Sequence, residues 1–242
     1  MKPTLLLIVL LVSSVAVAQK DSKMGEDIIR MMHERHKSNW YPSLCFSQKV
    51  FNYRNDSLIS TDVWHEAYLT PGNLIIKFTS KDSGNGMLFR NDSLYVFDKG
   101  AIKSQTERLH DLIILGFEVN TQKPEITIKQ IERMGYNLNI VEKTDINGNP
   151  AWLIGDTSKL CFWVDEESLL FVKMRRATAT GIREVEFAEY ETIKGFPVAT
   201  LIKFYNNPGK LNMVEKYFNI KVNCSIDNSV FSPQHFNTAT WQ

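Results

Sequence analysis

Hydrophobic and polar positions along this chain change period more than once. Across residues 22–39, Met24, Ile28, Met31 and Met32 recur at three- and four-residue spacing, with Ile29 widening the stripe. Glu26, Asp27, Arg30, Glu34 and Lys37 fill the opposite side, which predicts an amphipathic helix capped by Asp21 or Ser22. From Ser43 the period falls to two. Residues 44–53, 59–69, 74–79, 87–90 and 94–98 read as strands separated by explicit turn chemistry. Two helical stretches follow, 104–115 with Gly116 as its stop and 124–134 with Pro in its first turn and Gly135 at its end. Strands resume at 137–144, 151–155, 160–164, 169–176, 182–191, 196–205 and 211–222.

The five-residue run Arg-Asn-Asp-Ser-Leu occurs at 54–58 and again at 90–94, each time between two strand-like runs. Asn and Asp tolerate the left-handed backbone of a tight hairpin, so both copies are expected to be reverse turns. That order predicts an α+β, mainly β fold. It has about 11–12 antiparallel strands in meander order, with one N-terminal helix and a pair of central helices. No Pro/Ser-rich linker divides the chain, and residues 19–242 read as one domain.

Several strands alternate cleanly. Leu74, Ile76 and Phe78 oppose Lys77 and Thr79; Val185 and Phe187 oppose Glu184 and Glu186; Val198, Thr200, Ile202 and Phe204 oppose Lys203 and Tyr205. A sheet of this many strands twists until it curls. Curled around only three short helices, it encloses more apolar surface than they cover, which points to a cavity. A barrel filled by its own side chains gives the same pattern.

Composition narrows the class. The 242 residues carry 28 Lys and Arg against 27 Asp and Glu, so no excess of basic charge suits a nucleic-acid surface. Residues 1–18 combine Lys2, an apolar run from Leu5 to Val12 and the small-residue pattern Ala16-Val17-Ala18, which predicts a secretory signal peptide cleaved after Ala18. The mature protein is then expected to be neutral, exported, soluble and without a lipid-bearing Cys at the cleavage point. Cys45, Cys161 and Cys224 form no CxxC pair, and their spacing does not say which two, if any, are joined.

Catalytic and metal chemistry is not legible. His33-Glu34-Arg35-His36 is not H-E-x-x-H, and neither a nucleophile elbow nor a phosphate loop is present. Glu184, Glu186 and Glu189 read as a solvated strand stripe rather than an acid–base pair. The sequence therefore predicts no catalytic residue, no metal and no cofactor. A hydrolase around Glu184, Glu186 and His65 is a remote rival.

Five segments together resemble the outer-membrane lipoprotein-sorting proteins of the LolA/LolB-like superfamily. They are the helix running into Lys37-Ser38-Asn39-Trp40-Tyr41; the run from Val63 to Leu74; Cys161-Phe162-Trp163-Val164-Asp165 with the following Leu169-Leu170-Phe171-Val172; Tyr190 to Val198; and Asn219 to Phe231. The resemblance implies an incomplete barrel of about eleven strands lidded by helices. Its apolar concave face would take acyl chains of lipoproteins or other lipids between an inner-membrane donor and an outer-membrane acceptor protein, as a monomer. It also implies an Arg inside the barrel that holds the lid shut, for which no residue here is a match. The expected lipid-binding lining is Leu74, Ile76, Phe78, Phe89, Phe187, Ile202 and Phe204. The alternative on the same scaffold is a non-enzymatic envelope interaction or sensor module.

Overall fold

A computed structural model describes residues 24–241. The expected signal peptide at 1–18 and the caps Asp21 and Ser22 lie outside the described residues. Helix α1 (Gly25–His36) begins where the Met24 backbone N–H donates to the Asp27 carboxylate at 2.9 Å. Gly25 lies so close to the residues beneath that a Cβ there would meet Leu138 O at 2.9 Å and Ile154 Cγ2 at 2.8 Å.

The strands form one open sheet of thirteen antiparallel strands. Its first half runs β1 (Ser43–Arg54), β2 (Ser57–Leu69), β3 (Asn73–Phe78), β4 (Gly86–Arg90), β5 (Ser93–Asp98) and β6 (Ala101–Glu107). The second runs β7 (Val141–Ile146), β8 (Asn149–Asp156), β9 (Leu160–Asp165), β10 (Phe171–Thr178), β11 (Gly181–Ile193), β12 (Phe196–Asn206) and β13 (Leu211–Val222). Each half is a meander, and pairing of β1 with β13 joins them, leaving β6 and β7 as the two edges.

This order explains the cover. The chain must cross from one edge of the sheet to the other between β6 and β7, and α2 (Asp111–Gly116), a 3-10 turn (Glu118–Asn120) and α3 (Pro124–Arg133) lie on that crossing. Among the described residues no helix is long and apolar enough to cross a membrane.

Both copies of the repeated turn form two-residue hairpins. Arg54 pairs with Ser57 and Arg90 with Ser93, and Asn55, Asp56, Asn91 and Asp92 have φ of 51, 60, 51 and 55°. That left-handed pair is what a type I′ turn requires.

Three expectations are corrected. The strand count is thirteen rather than 11–12, because residues 104–107 are the end of β6 and not the start of a helix. Ser104, Gln105, Thr106 and Glu107 carry no apolar side chain to bury, and a fully exposed, mostly polar strand suits a sheet edge. Residues 137–140 are not strand; Leu138 packs into the core beneath α1, and its carbonyl accepts from Gly25 N–H at 2.8 Å. Glu184 is not part of a solvated stripe. It is 4% exposed on the convex face, bound by Arg175 at 2.6 Å and Lys173 at 3.1 Å, while Lys173 also pairs with Glu186.

The core is layered. α1 and α3 bury Ile28, Ile29, Met32, Ile128 and Ile131 against Phe162, Val164, Phe171 and Met174 of the second meander. On the convex side the C-terminal segment packs Phe231, Phe236 and Trp241 on Ala67, Ile75 and Leu88, with Phe236 stacked on Phe97 at 3.8 Å. Cys45 on β1 and Cys224 just past β13 form a disulfide at the root of that segment, and Cys161 is free and buried.

Candidate functional site: an apolar hollow under helix α2

The helices fill the concave face over β8–β11 more completely than over the middle of the sheet. Between α2 and β1–β4 and β11–β13 a hollow of about 200 Å³ remains. Alternation along β2 turns Trp64, Glu66 and Tyr68 toward it, and β3 supplies Leu74 and Ile76. Phe187 of β11, Ile202 and Phe204 of β12, and Met213, Glu215 and Tyr217 of β13 close the other side. Phe46 stacks on Tyr217 at 4.1 Å, and α2 contributes Leu112 and Ile113 from above. The helix can approach this closely because it ends in glycine: a Cβ on Gly116 would lie 2.6 Å from the Phe187 ring.

Five of the seven expected lining residues, Leu74, Ile76, Phe187, Ile202 and Phe204, come together around the hollow. Two do not line it. Phe89 stands behind, edge-on to His110 at 4.5 Å and facing a smaller neighbouring cleft. Phe78 lies against the Trp64 ring at 4.6 Å and so backs the wall rather than forming it. Sequence reasoning missed Phe46, Trp64, Tyr68 and Tyr217, whose alternation on β1, β2 and β13 was available. It also missed Glu66 and Glu215, whose signal was a charged residue in an apolar phase.

Burial governs the polar groups. It pushes the Glu215 carboxyl up to about 8, with neighbouring Gln48 pulling the other way, and raises Glu66 well above the usual carboxylate range, with Glu215 adding to the effect. Burial, assisted by Arg108, holds His110 at the head of α2 down to about 3, so it is neutral.

The cover is pinned by polar contacts at its ends. Arg176 Nη2 on β10 donates to both carboxylate oxygens of Asp111, the first residue of α2, at 2.9 and 2.8 Å. The Gly72 N–H in the β2–β3 turn donates to the Glu118 carboxylate, and Arg133 at the end of α3 pairs with Asp92 at 3.0 Å and with Glu107. The remote hydrolase grouping does not assemble. His65 lies on β2, where its Nδ1 is 2.8 Å from Ser47 Oγ, while Glu184 and Glu186 are on β11 with β1, β13 and β12 between.

No protein-family model matches the sequence, and no curated protein matches it. Solved structures do match the fold. A LolA superfamily protein from Nitrosomonas europaea is 15% identical with a TM-score of 0.55, covering 87% of this chain and 98% of its own. An outer membrane lipoprotein-sorting protein domain from Vibrio parahaemolyticus is 14% identical with a TM-score of 0.58, covering 88% and 98%. A DUF1329 family protein from Desulfovibrio piger is 13% identical with a TM-score of 0.57, covering 86% and 95%. The chain therefore has the LolA-like open-barrel fold.

Proposed function

We propose that this protein is a non-enzymatic periplasmic carrier that shields lipid acyl chains, those of lipoproteins included, from water within the half-barrel. One observation carries the reading: a hollow with mostly apolar walls persists beneath a short helix, in a fold that solved LolA-like proteins share. An apolar cavity of roughly 150 Å³ already admits benzene, whereas pockets for larger ligands run to roughly 300–1,000 Å³. At about 200 Å³ the hollow takes one end of a chain, and a full-length acyl group enters as α2 lifts from the sheet. Sixteen sequestered carbons gain on the order of 12 kcal/mol gross, at about 0.8 per methylene, before ordering and lid opening are subtracted. Mostly apolar walls, which hold a chain without directional bonds, allow release to an acceptor.

The test is organic extraction of the protein purified without detergent from a periplasm, followed by mass spectrometry. The carrier reading expects an acyl lipid near one equivalent, and expects the delipidated protein to take up an uncharged fluorescent alkyl probe. A lipid-free extract together with no uptake overturns it.

A further inference from the structure

Two acids sit in the apolar wall of the hollow. Glu66 on β2 is 5% exposed and Glu215 on β13 is 9% exposed. They flank the central strand β1: Glu66 is opposite Phe46, Glu215 is opposite Val50, and the wholly buried Gln48 lies between on the same face. The Glu66 carboxyl faces the hollow with no hydrogen-bond partner among the described residues. No Lys or Arg lines the hollow among the described residues; the other titratable groups there are His110 from the head of α2, Tyr68 from β2 and Tyr217 from β13, with Tyr41 and Tyr190 near Tyr217.

An uncompensated acid in an apolar wall costs stability that Leu or Met at either position would not. A pair of them, facing an empty space with no basic residue, is complementary to a cation that the protein does not supply. We propose that Glu66 and Glu215 select the protonated primary amine of a single-chain alkyl amphiphile, its chain in the hollow and its ammonium between the two carboxyls. A carboxylate or phosphate head group gains no ion pair there, and from about pH 8, where Glu215 ionises, it meets like charge. This rests on the carrier reading and adds to it the head-group chemistry.

The charge balances. Burial keeps the acids protonated in the empty hollow at neutral pH. On binding, one carboxyl releases its proton to solvent and the resulting carboxylate pairs with the incoming ammonium, so the hollow is neutral before and after. Neutral His110 adds no repulsion. Affinity for the amine therefore rises about tenfold per pH unit up to about pH 8, the range in which Glu215 holds its proton, and then levels.

Calorimetric titration of the delipidated protein with n-decylamine, 1-decanol and decanoate tests this, below their micelle concentrations. The expected order at pH 8 is decylamine at least tenfold tighter than decanol, with decanoate weakest. Amine binding should also release protons, read from the dependence of its heat on the buffer. In the Glu66→Gln/Glu215→Gln variant the preference should vanish while decanol affinity, which also reports that the hollow is intact, stays within about threefold. Decylamine binding no tighter than decanol, or a preference that survives the double substitution, overturns the head-group proposal and leaves the carrier reading standing. Binding of none of the three overturns both.

Discussion

Arg176 on β10 grips Asp111 through both carboxylate oxygens, and Asp111 is the residue from which α2 starts. Two residues of the same helix, Leu112 and Ile113, roof the hollow. The contact therefore ties the cover to the far meander, at the point where the chain first reaches it from the β6 edge. The resemblance to lipoprotein-sorting proteins implied an Arg inside the barrel holding the lid shut, and no sequence position matched one. Arg176 makes a contact with the covering helix that the structure alone brings into view.

Arg176→Ala should loosen α2 without emptying the core. Its removal leaves a half-buried carboxylate with its main partner gone, at a cost of about 1–3 kcal/mol. Stopped-flow uptake and release of an uncharged alkyl probe should both quicken severalfold. Unchanged rates with a lowered melting temperature would mean the pair stabilises the fold but does not gate the hollow.

The buried acids give the empty protein an inverted pH profile. Glu215 titrates near 4.5 when unfolded and near 8 when folded, so the native state holds a proton that the unfolded chain has lost throughout that window. Stability attributable to it is present below pH 4.5 and is lost as pH rises toward 8, by on the order of 1 kcal/mol per unit. Glu118, raised to about 7 mainly by burial, acts in the same direction below that value. His110 acts oppositely, but only between about 3 and 6.5. Urea denaturation between pH 7 and 8 thus isolates the acid pair: the wild type should weaken, and Glu215→Gln should be flatter. Equal slopes would contradict the burial of this carboxyl.

Cysteine chemistry follows the disulfide. Under native, non-reducing conditions no thiol should react with a maleimide, because Cys161 is 0% exposed and burial pushes its thiol up to about 12. One should react after denaturation and three after reduction. Cys45→Ser/Cys224→Ser should lower stability by about 2–4 kcal/mol, read by urea denaturation. A variant as stable as the wild type would show that the C-terminal segment holds without the bond.

Filling the hollow should uncouple binding from folding. Leu74→Trp places a large ring where β3 faces the empty space, so the overpacking cost stays within about 1–3 kcal/mol. Probe uptake should fall at least tenfold while the melting transition remains cooperative. Undiminished uptake would place the binding surface elsewhere.

Period-two alternation made most of the sheet legible, and the repeated Asn-Asp turns marked two hairpins to the residue. It failed where the physics was not periodic. Glu189 has a φ of 49° within β11, and beyond it Tyr190 rejoins the cluster that holds Phe187, three residues away. Strict alternation cannot foresee that step. Nor does it reveal β6, whose edge position asks for no apolar face. The lining was half legible because β3, β11 and β12 announce their apolar phase. The phases of β2 and β13 are broken by Glu66 and Glu215, and those interruptions turn out to be the chemically informative positions. Glu184 misled in the opposite way, since its partners Arg175 and Lys173 come from the neighbouring strand and are invisible to a single-strand reading.

The central claim is that an alkyl chain enters the hollow, and Trp64 stands in its wall as a built-in reporter. Titrating delipidated protein with 1-decanol carrying a terminal bromine, and following tryptophan fluorescence in the wild type and in Trp64→Phe, tests it directly. A saturable quench at one equivalent that disappears in Trp64→Phe is the predicted result. No quench, or a quench that persists unchanged in the variant, would contradict it.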